Sequence, residues 1–283
     1  MHQKPHRLPC ALAIGGLDPG GGAGLAADLR AFHAAGAFGC AAAALLTVQS
    51  TAGLRRVRAL DARAVTDQAA EVLRHQRVRA IKIGALGTEA NVRAVARLLA
   101  RHPAIPAVVD TPMVPTRGGA RLLATGAATA LLRTLLPRAT LVTSNAREAQ
   151  ALWGQPVRTV SEAHDAARAL QRLGARAVLV KGGHLSGPDA IDVLAVGGEV
   201  VELRARRLRT GPLHGTGCVL ASLIAGRIAV RTGMRVADQD LIGAIRWAKR
   251  VHHTALARAV DVGAGMRVME LESGGPKQRS ADS

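Results

Sequence analysis

The chain has 283 residues, 48% of them hydrophobic, which is enough for one large α/β domain. Its formal net charge of +18 is nearly all scattered arginine, and Phe32, Phe38, Trp153 and Trp247 are its whole aromatic set. With no stacking aromatics among the basic residues and no apolar run of about 20 residues, neither a nucleic-acid module nor a membrane span is expected.

Short apolar runs alternate with helical patterns along the chain. Residues 10–14 read as a strand, 23–35 as a helix and 40–46 as a second strand. A helix over 66–74, a strand over 80–83 and a helix over 90–101 follow. Residues 107–110 form a strand that ends in Asp110, then a helix covers 126–135, a strand 140–143 and a helix 146–152. After a helix over 161–173 and a strand over 177–180, Gly197-Gly198 separates two β-prone runs and predicts a hairpin. Helices over 215–227 and 237–257 complete the pattern. One domain over residues 10–268 is expected, with flexible tails at 1–9 and 272–283. The alternation predicts an α/β fold, a mostly parallel central sheet with helices on both faces, and ligands bound beyond the carboxyl ends of its strands. Cys10, Cys40 and Cys218 show neither metal spacing nor an even disulfide set, and the first apolar run is short for a secretory leader. A soluble protein of the reducing cytoplasm is expected.

Two glycine-rich loops carry the chemistry. Residues 15–24 (GGLDPGGGAG) follow the first strand and open a helix, a place suited to an anion, yet they match neither the dinucleotide fingerprint nor the P-loop. Asp28 lies one turn beyond and reads either as an exposed helix acid or as a group aimed back at a ligand. Residues 214–218 (HGTGC) set Gly215, Thr216 and Gly217 at a helix start, where backbone N–H groups can cradle a phosphoryl group. Cys218 falls in the first turn of that helix. There the macrodipole favours a thiolate able to take a proton, although a free cysteine is as readily a small buried hydrophobe. Asp110 at a strand end could hold Mg²⁺ through water. Asn145 and Glu148, three apart, share a helix face, with Asn145 a candidate cap. Lys181 ends a further strand and could neutralise phosphate.

These segments, with LLTVQST, IKIGAL, VVDTPM, TSNAREA and VKGGH between them, occur in the order seen in bacterial hydroxymethylpyrimidine/phosphomethylpyrimidine kinases. Across roughly residues 10 to 265 the chain resembles that family of the ribokinase-like superfamily. The resemblance implies ATP and Mg²⁺, Cys218 as the base that activates a hydroxymethyl group, and Gly215, Thr216 and Gly217 as the anion hole. It implies Lys181, Asn145 and Glu148 for the nucleotide and metal, with Asp110 nearby. Gln49 would read the pyrimidine edge, with Gly16 and Asp28 at pocket positions. Ala85 stands where the family usually has methionine, and Pro112 falls in DTPM where DPVM is usual, so both bear on the ring site. A second phosphoryl transfer, to the monophosphate, and a homodimer are also implied. Pyridoxine or pyridoxal kinase activity, or a non-catalytic pyrimidine-binding regulator, are the alternatives.

Overall fold

The computed structural model describes residues 8–113, 122–124, 126–231 and 236–272. Nine strands form one sheet: β1 (Cys10–Leu17), β2 (Phe38–Ser50), β3 (Gly53–Ala59), β4 (Val78–Ile83), β5 (Ala107–Asp110), β6 (Leu141–Asn145), β7 (Ala177–Lys181), β8 (Asp189–Val196) and β9 (Glu199–Arg206). Their order is β3-β2-β1-β4-β5-β6-β7-β8-β9. The strands from β2 to β7 pair in parallel, whereas β3, β8 and β9 join antiparallel at the two ends. A separate short parallel pair joins β10 (Leu213–His214) to β11 (Arg267–Val268). The expected tails at 1–9 and 272–283 lie outside the described residues except for residues 8, 9 and 272.

Alternation along the strands builds two cores. Leu12 and Ile14 of β1 face α2 (Ala62–His75), α3 (Glu89–Arg101), α4 (Ala127–Ala130), α5 (Ala146–Trp153) and α6 (Val160–Arg172). Ala11 and Ala13 face α1 (Gly24–Ala34), α7 (Thr216–Arg231) and α8 (Asp238–Ala257). With so few aromatics, the second core relies on close approach. A Cβ on Gly226 of α7 would sit 2.7 Å from the Ala35 Cβ, so glycine is what lets α7 reach α1.

Two local features differ from the sequence reading, each for a physical reason. Strand β3 is an edge strand in which Leu54 alone is fully buried, and its three arginines break the apolar pattern. The helix expected over 126–135 forms, but after α4 it widens into a π-helical turn over Leu131–Leu135. Pro137 has no N–H, and the donor before it, on Leu136, reaches back five residues to Leu131. The Gly197-Gly198 hairpin forms as expected, both glycines having positive φ.

The sheet also explains a residue that the sequence reading passed over. Lys82 lies on β4 two residues after Ala80, on the face covered by α1 and α7, and is 1% exposed. Its Nζ is 2.9 Å from both carboxylate oxygens of Asp28 on α1, and Ser222 Oγ of α7 donates to Asp28 Oδ1 at 2.7 Å. Removing one member of such a pair strands a buried charge. Lys82→Met is expected to lower stability by about 3–5 kcal/mol, and Asp28→Asn/Lys82→Met to recover much of that loss, as read by urea unfolding.

Candidate active site

The strand order reverses between β1 and β4, the place where such sheets bind ligands at the strands' carboxyl ends. The two glycine loops meet beside it. Asp18 accepts hydrogen bonds from the amides of Gly20 and Ala23, each at 2.9 Å, and its Oδ2 lies 2.7 Å from His214 Nε2. Burial works against its ionisation, but the His214 bond and the two amides prevail and hold the carboxyl below its usual range. Only glycines allow the loops to touch this closely: a Cβ on Gly22 would fall 2.2 Å from His214 Cδ2. One on Gly215, whose φ is +76°, would fall 2.0 Å from the Gly22 carbonyl oxygen. The β10–β11 pair secures His214 from the far side.

On one side of this junction are the residues assigned to a ring. Gln49, near the end of β2, places its Nε2 3.3 Å from His214 Nε2. Gly16, in β1, is backed by Leu45 and Ala85: a Cβ there would lie 3.5 Å from the Leu45 Cβ and 3.9 Å from that of Ala85. Ala85 and Pro112 border one small cavity, together with Gly84 and Asp110.

On the other side are the residues assigned to phosphate. A Cβ on Gly217 would lie 3.1 Å from Lys181 Nζ and 3.9 Å from Asp110 Oδ2, so the start of α7 rests directly on that pair. Lys181 Nζ bonds Asp110 Oδ1 at 2.9 Å and Thr143 Oγ1 donates to the same oxygen at 2.8 Å. Burial opposes Asp110 ionisation, yet Lys181 and Lys82 hold the carboxyl below its usual range. Asn145 and Glu148 form a reciprocal capping box at the start of α5, with bonds of 2.9 and 2.8 Å. Burial pushes Glu148 up to about 7, with Asp110 adding to the effect and Lys181 opposing it.

Two expectations change. Asp28 is 0% exposed, and its oxygens are engaged by Lys82 and Ser222. It supports the site from below instead of lining the pocket, because the helix that carries it turns its side chain into the second core. Cys218 is partly exposed and accepts a bond from the Gly24 amide, but it is not poised as a thiolate. Burial pushes the thiol up to about 11, with Asp110 and Asp28 adding to the rise and Lys82 opposing it. Desolvation outweighs the helix dipole here.

The sequence reading also missed Asp18, His214 and a basic groove. The groove lies between β9 and α8 and is lined by Arg204, Arg206, Arg246, Lys249, Arg250 and His253. Lys249 Nζ bonds Asp192 Oδ2 at 2.6 Å, and Asp192 Oδ1 accepts the Gly182 amide at 2.8 Å, next to Lys181. Asp18 and His214 sit inside motifs already singled out; 196 residues separate the pair, and nothing local announces their contact.

Residues 18–270 match the family model described as phosphomethylpyrimidine kinase. A hydroxymethylpyrimidine/phosphomethylpyrimidine kinase of Rhizobium meliloti is 40% identical over 258 residues, covering 90% of this chain and 94% of that protein. Among solved structures, Staphylococcus aureus pyridoxal kinase in complex with AMP-PCP and pyridoxal superposes with a TM-score of 0.83 at 25% identity, over 95% of this chain and 96% of the other. A phosphomethylpyrimidine kinase from Clostridium difficile gives 0.74 at 28% identity, over 88% and 99%. The architecture is therefore ribokinase-like, a mostly parallel sheet flanked by helices.

Two titrations check these electrostatics. Alkylation of Cys218 by iodoacetamide, followed by peptide mass, is expected to be slow at neutral pH and to rise about tenfold per pH unit toward about 11. Glu148 is raised in the folded state from 4.5 to about 7, so the folded protein binds the extra proton between those values. That contribution is full below about 4.5 and is lost as the pH rises through about 7. In metal-free protein, Glu148→Gln, which keeps the cap, is expected to be less destabilised than wild type between pH 5 and 8 in thermal melts. Added Mg²⁺ at pH 8 should raise the melting temperature of wild type only.

Proposed function

This chain belongs to the phosphomethylpyrimidine kinase family, and on that premise we propose that it transfers a phosphoryl group from ATP to 4-amino-5-hydroxymethyl-2-methylpyrimidine and then to the resulting monophosphate, in thiamine biosynthesis. One observation carries the reading. The segment 214–218 reaches Gln49 through His214 at one end, and Lys181 and Asp110 through Gly217 at the other, residues this reading gives to the ring and to phosphate. An amide that both donates and accepts suits an aminopyrimidine edge, which is the role given to Gln49. Gly16, Ala85 and Pro112 shape the ring pocket, with Asp28 beneath it.

In the proposed step, the hydroxymethyl oxygen forms a bond to the γ-phosphorus as the bond to the bridging oxygen of ADP breaks. Gly215, Thr216 and Gly217 turn first-turn amides of α7 toward the charge on the phosphoryl oxygens, and Lys181 adds a cation. The hydroxyl proton passes to Cys218. Its thiolate is a minor form at neutral pH, favoured by Lys82 and the Gly24 amide against burial. Among the described residues no three His, Cys, Asp or Glu side chains gather into a metal cage. Asp110 and Glu148, two buried carboxylates that raise each other's cost of ionisation, suit Mg²⁺, which takes one or two carboxylates and fills its shell with water and phosphate oxygens. Bound there, Mg²⁺ would neutralise phosphate charge. Asn145 holds Glu148 in place, and the basic groove, tied to the Gly182 amide through Lys249 and Asp192, supports a seat for the rest of the nucleotide.

The likeness to pyridoxal kinase favours a second reading, pyridoxal on the same scaffold. Residues 10–268 would form one catalytic domain, since a single sheet runs from Cys10 to Arg206 and β11 closes on β10. A homodimer is supported by the exposed Phe38, Leu46 and Val48 of β2, and a cytoplasmic setting by the three free cysteines. No described helix is long and apolar enough to cross a membrane.

The test offers ATP·Mg²⁺ with hydroxymethylpyrimidine, its monophosphate and pyridoxal in parallel, with products identified by mass. Both pyrimidines should be turned over. Cys218→Ala should lower kcat by about 10²–10⁴-fold, the span usual for a lost general base. Turnover of pyridoxal alone would move the substrate and keep the mechanism.

A further inference from the structure

The anion-hole segment is also held from outside. His252, near the end of α8, places its Nε2 2.9 Å from the Thr216 carbonyl oxygen. A carbonyl only accepts, so the imidazole is the donor and its proton sits on Nε2. Burial pushes the ring down to about 4; the Thr216 carbonyl and Asp192 resist the fall, while Lys181 and Lys249 deepen it. The imidazole is neutral at working pH, and its single N–H is committed to that carbonyl. Its neighbours on α8 serve other segments: Lys249 bonds Asp192 and the Ala190 carbonyl, and His253 bonds the Arg206 carbonyl.

The Thr216–Gly217 peptide is planar and trans, so its C=O and N–H point to opposite sides. Fixing the oxygen therefore aims the Gly217 amide. That amide belongs to the first turn of α7, where N–H groups have no intrahelical acceptor, and Gly217 lies against Lys181 and Asp110.

We propose that His252 is a positioning residue for phosphoryl transfer, holding the Thr216 carbonyl so that the Gly217 amide points at the phosphoryl group in transit. The inference rests on the kinase reading above. His252 acts through the peptide alone, so its loss lowers turnover more than binding.

Leucine at 252 fills similar space without a donor, and glutamine returns a donor at comparable reach. His252→Leu is expected to lower kcat about tenfold, less than the 10²–10³ that follows deletion of an oxyanion donor, with KM for ATP and for the pyrimidine within about twofold. His252→Gln should recover most of the rate. Wild-type turnover in the leucine variant, or equal losses in two folded variants, would overturn the assignment. If leucine prevents folding, His252→Ala with and without added imidazole makes the same comparison. A second arm measures ADP·Mg²⁺ binding with and without aluminium fluoride. ADP alone should bind all variants alike, and the tightening by fluoride should weaken in the leucine variant and return with glutamine. Unchanged tightening in the leucine variant would also overturn the role. This arm needs no ring substrate, so it decides on His252 even if wild type fails to turn over either pyrimidine, a result that would instead fault the substrate assignment.

Discussion

The buried pair of Lys82 and Asp28 is the constraint around which the site is arranged. It joins β4, at the switch point, to α1, which follows the first glycine loop, and through Ser222 to α7, which follows the second. Burying two charges is costly, and an apolar replacement of similar shape often matches such a pair in stability. What apolar packing would not supply is a fixed cation beneath the reacting groups. Lys82 acts electrostatically on both Cys218 and Asp110. Two opposite charges and a serine hydroxyl, on three elements, therefore set the register in which the two loops meet.

Above that floor the site is made of backbone. Gly22 and Gly215 bring two distant segments within contact, and Asp18 stitches them through His214. The charges then fall into two groups. Asp110 and Lys181 neutralise each other at 2.9 Å, while Glu148 is left under-compensated and protonates easily. On the proposed reading, a polyanionic nucleotide with a divalent ion would bring both signs of charge into this cluster, and the resting protein balances only part of that load.

Much of this was legible from the residues. The strand–helix alternation gave the layers, the paired glycines gave the β8–β9 hairpin, and the Asn145–Glu148 spacing gave the α5 cap. What escaped was decided by tertiary contact. Lys82 sits in an apolar run as if on a solvated face, and only the helices on both sides of the sheet show that it is buried. Asp28 admitted two readings until its partner was known. For Cys218, the helix start was visible but the desolvation that opposes a thiolate was not. Strand β3 was hidden by arginines that an edge strand tolerates and a central strand does not.

The scarcity of aromatic residues has a spectroscopic consequence. The chain holds two tryptophans and no tyrosine, so its near-ultraviolet emission comes from two known places. Trp153 ends the helix that Asn145 and Glu148 cap. Trp247 lies on α8 with the Arg227 guanidinium 4.7 Å from its ring centre. In the proposed complex, nucleotide and metal would bear on the first helix, while His252 of the second bonds the Thr216 carbonyl. Each tryptophan therefore sits on one side of the clasp, and replacing either by phenylalanine leaves the other as an unlabelled reporter of its side.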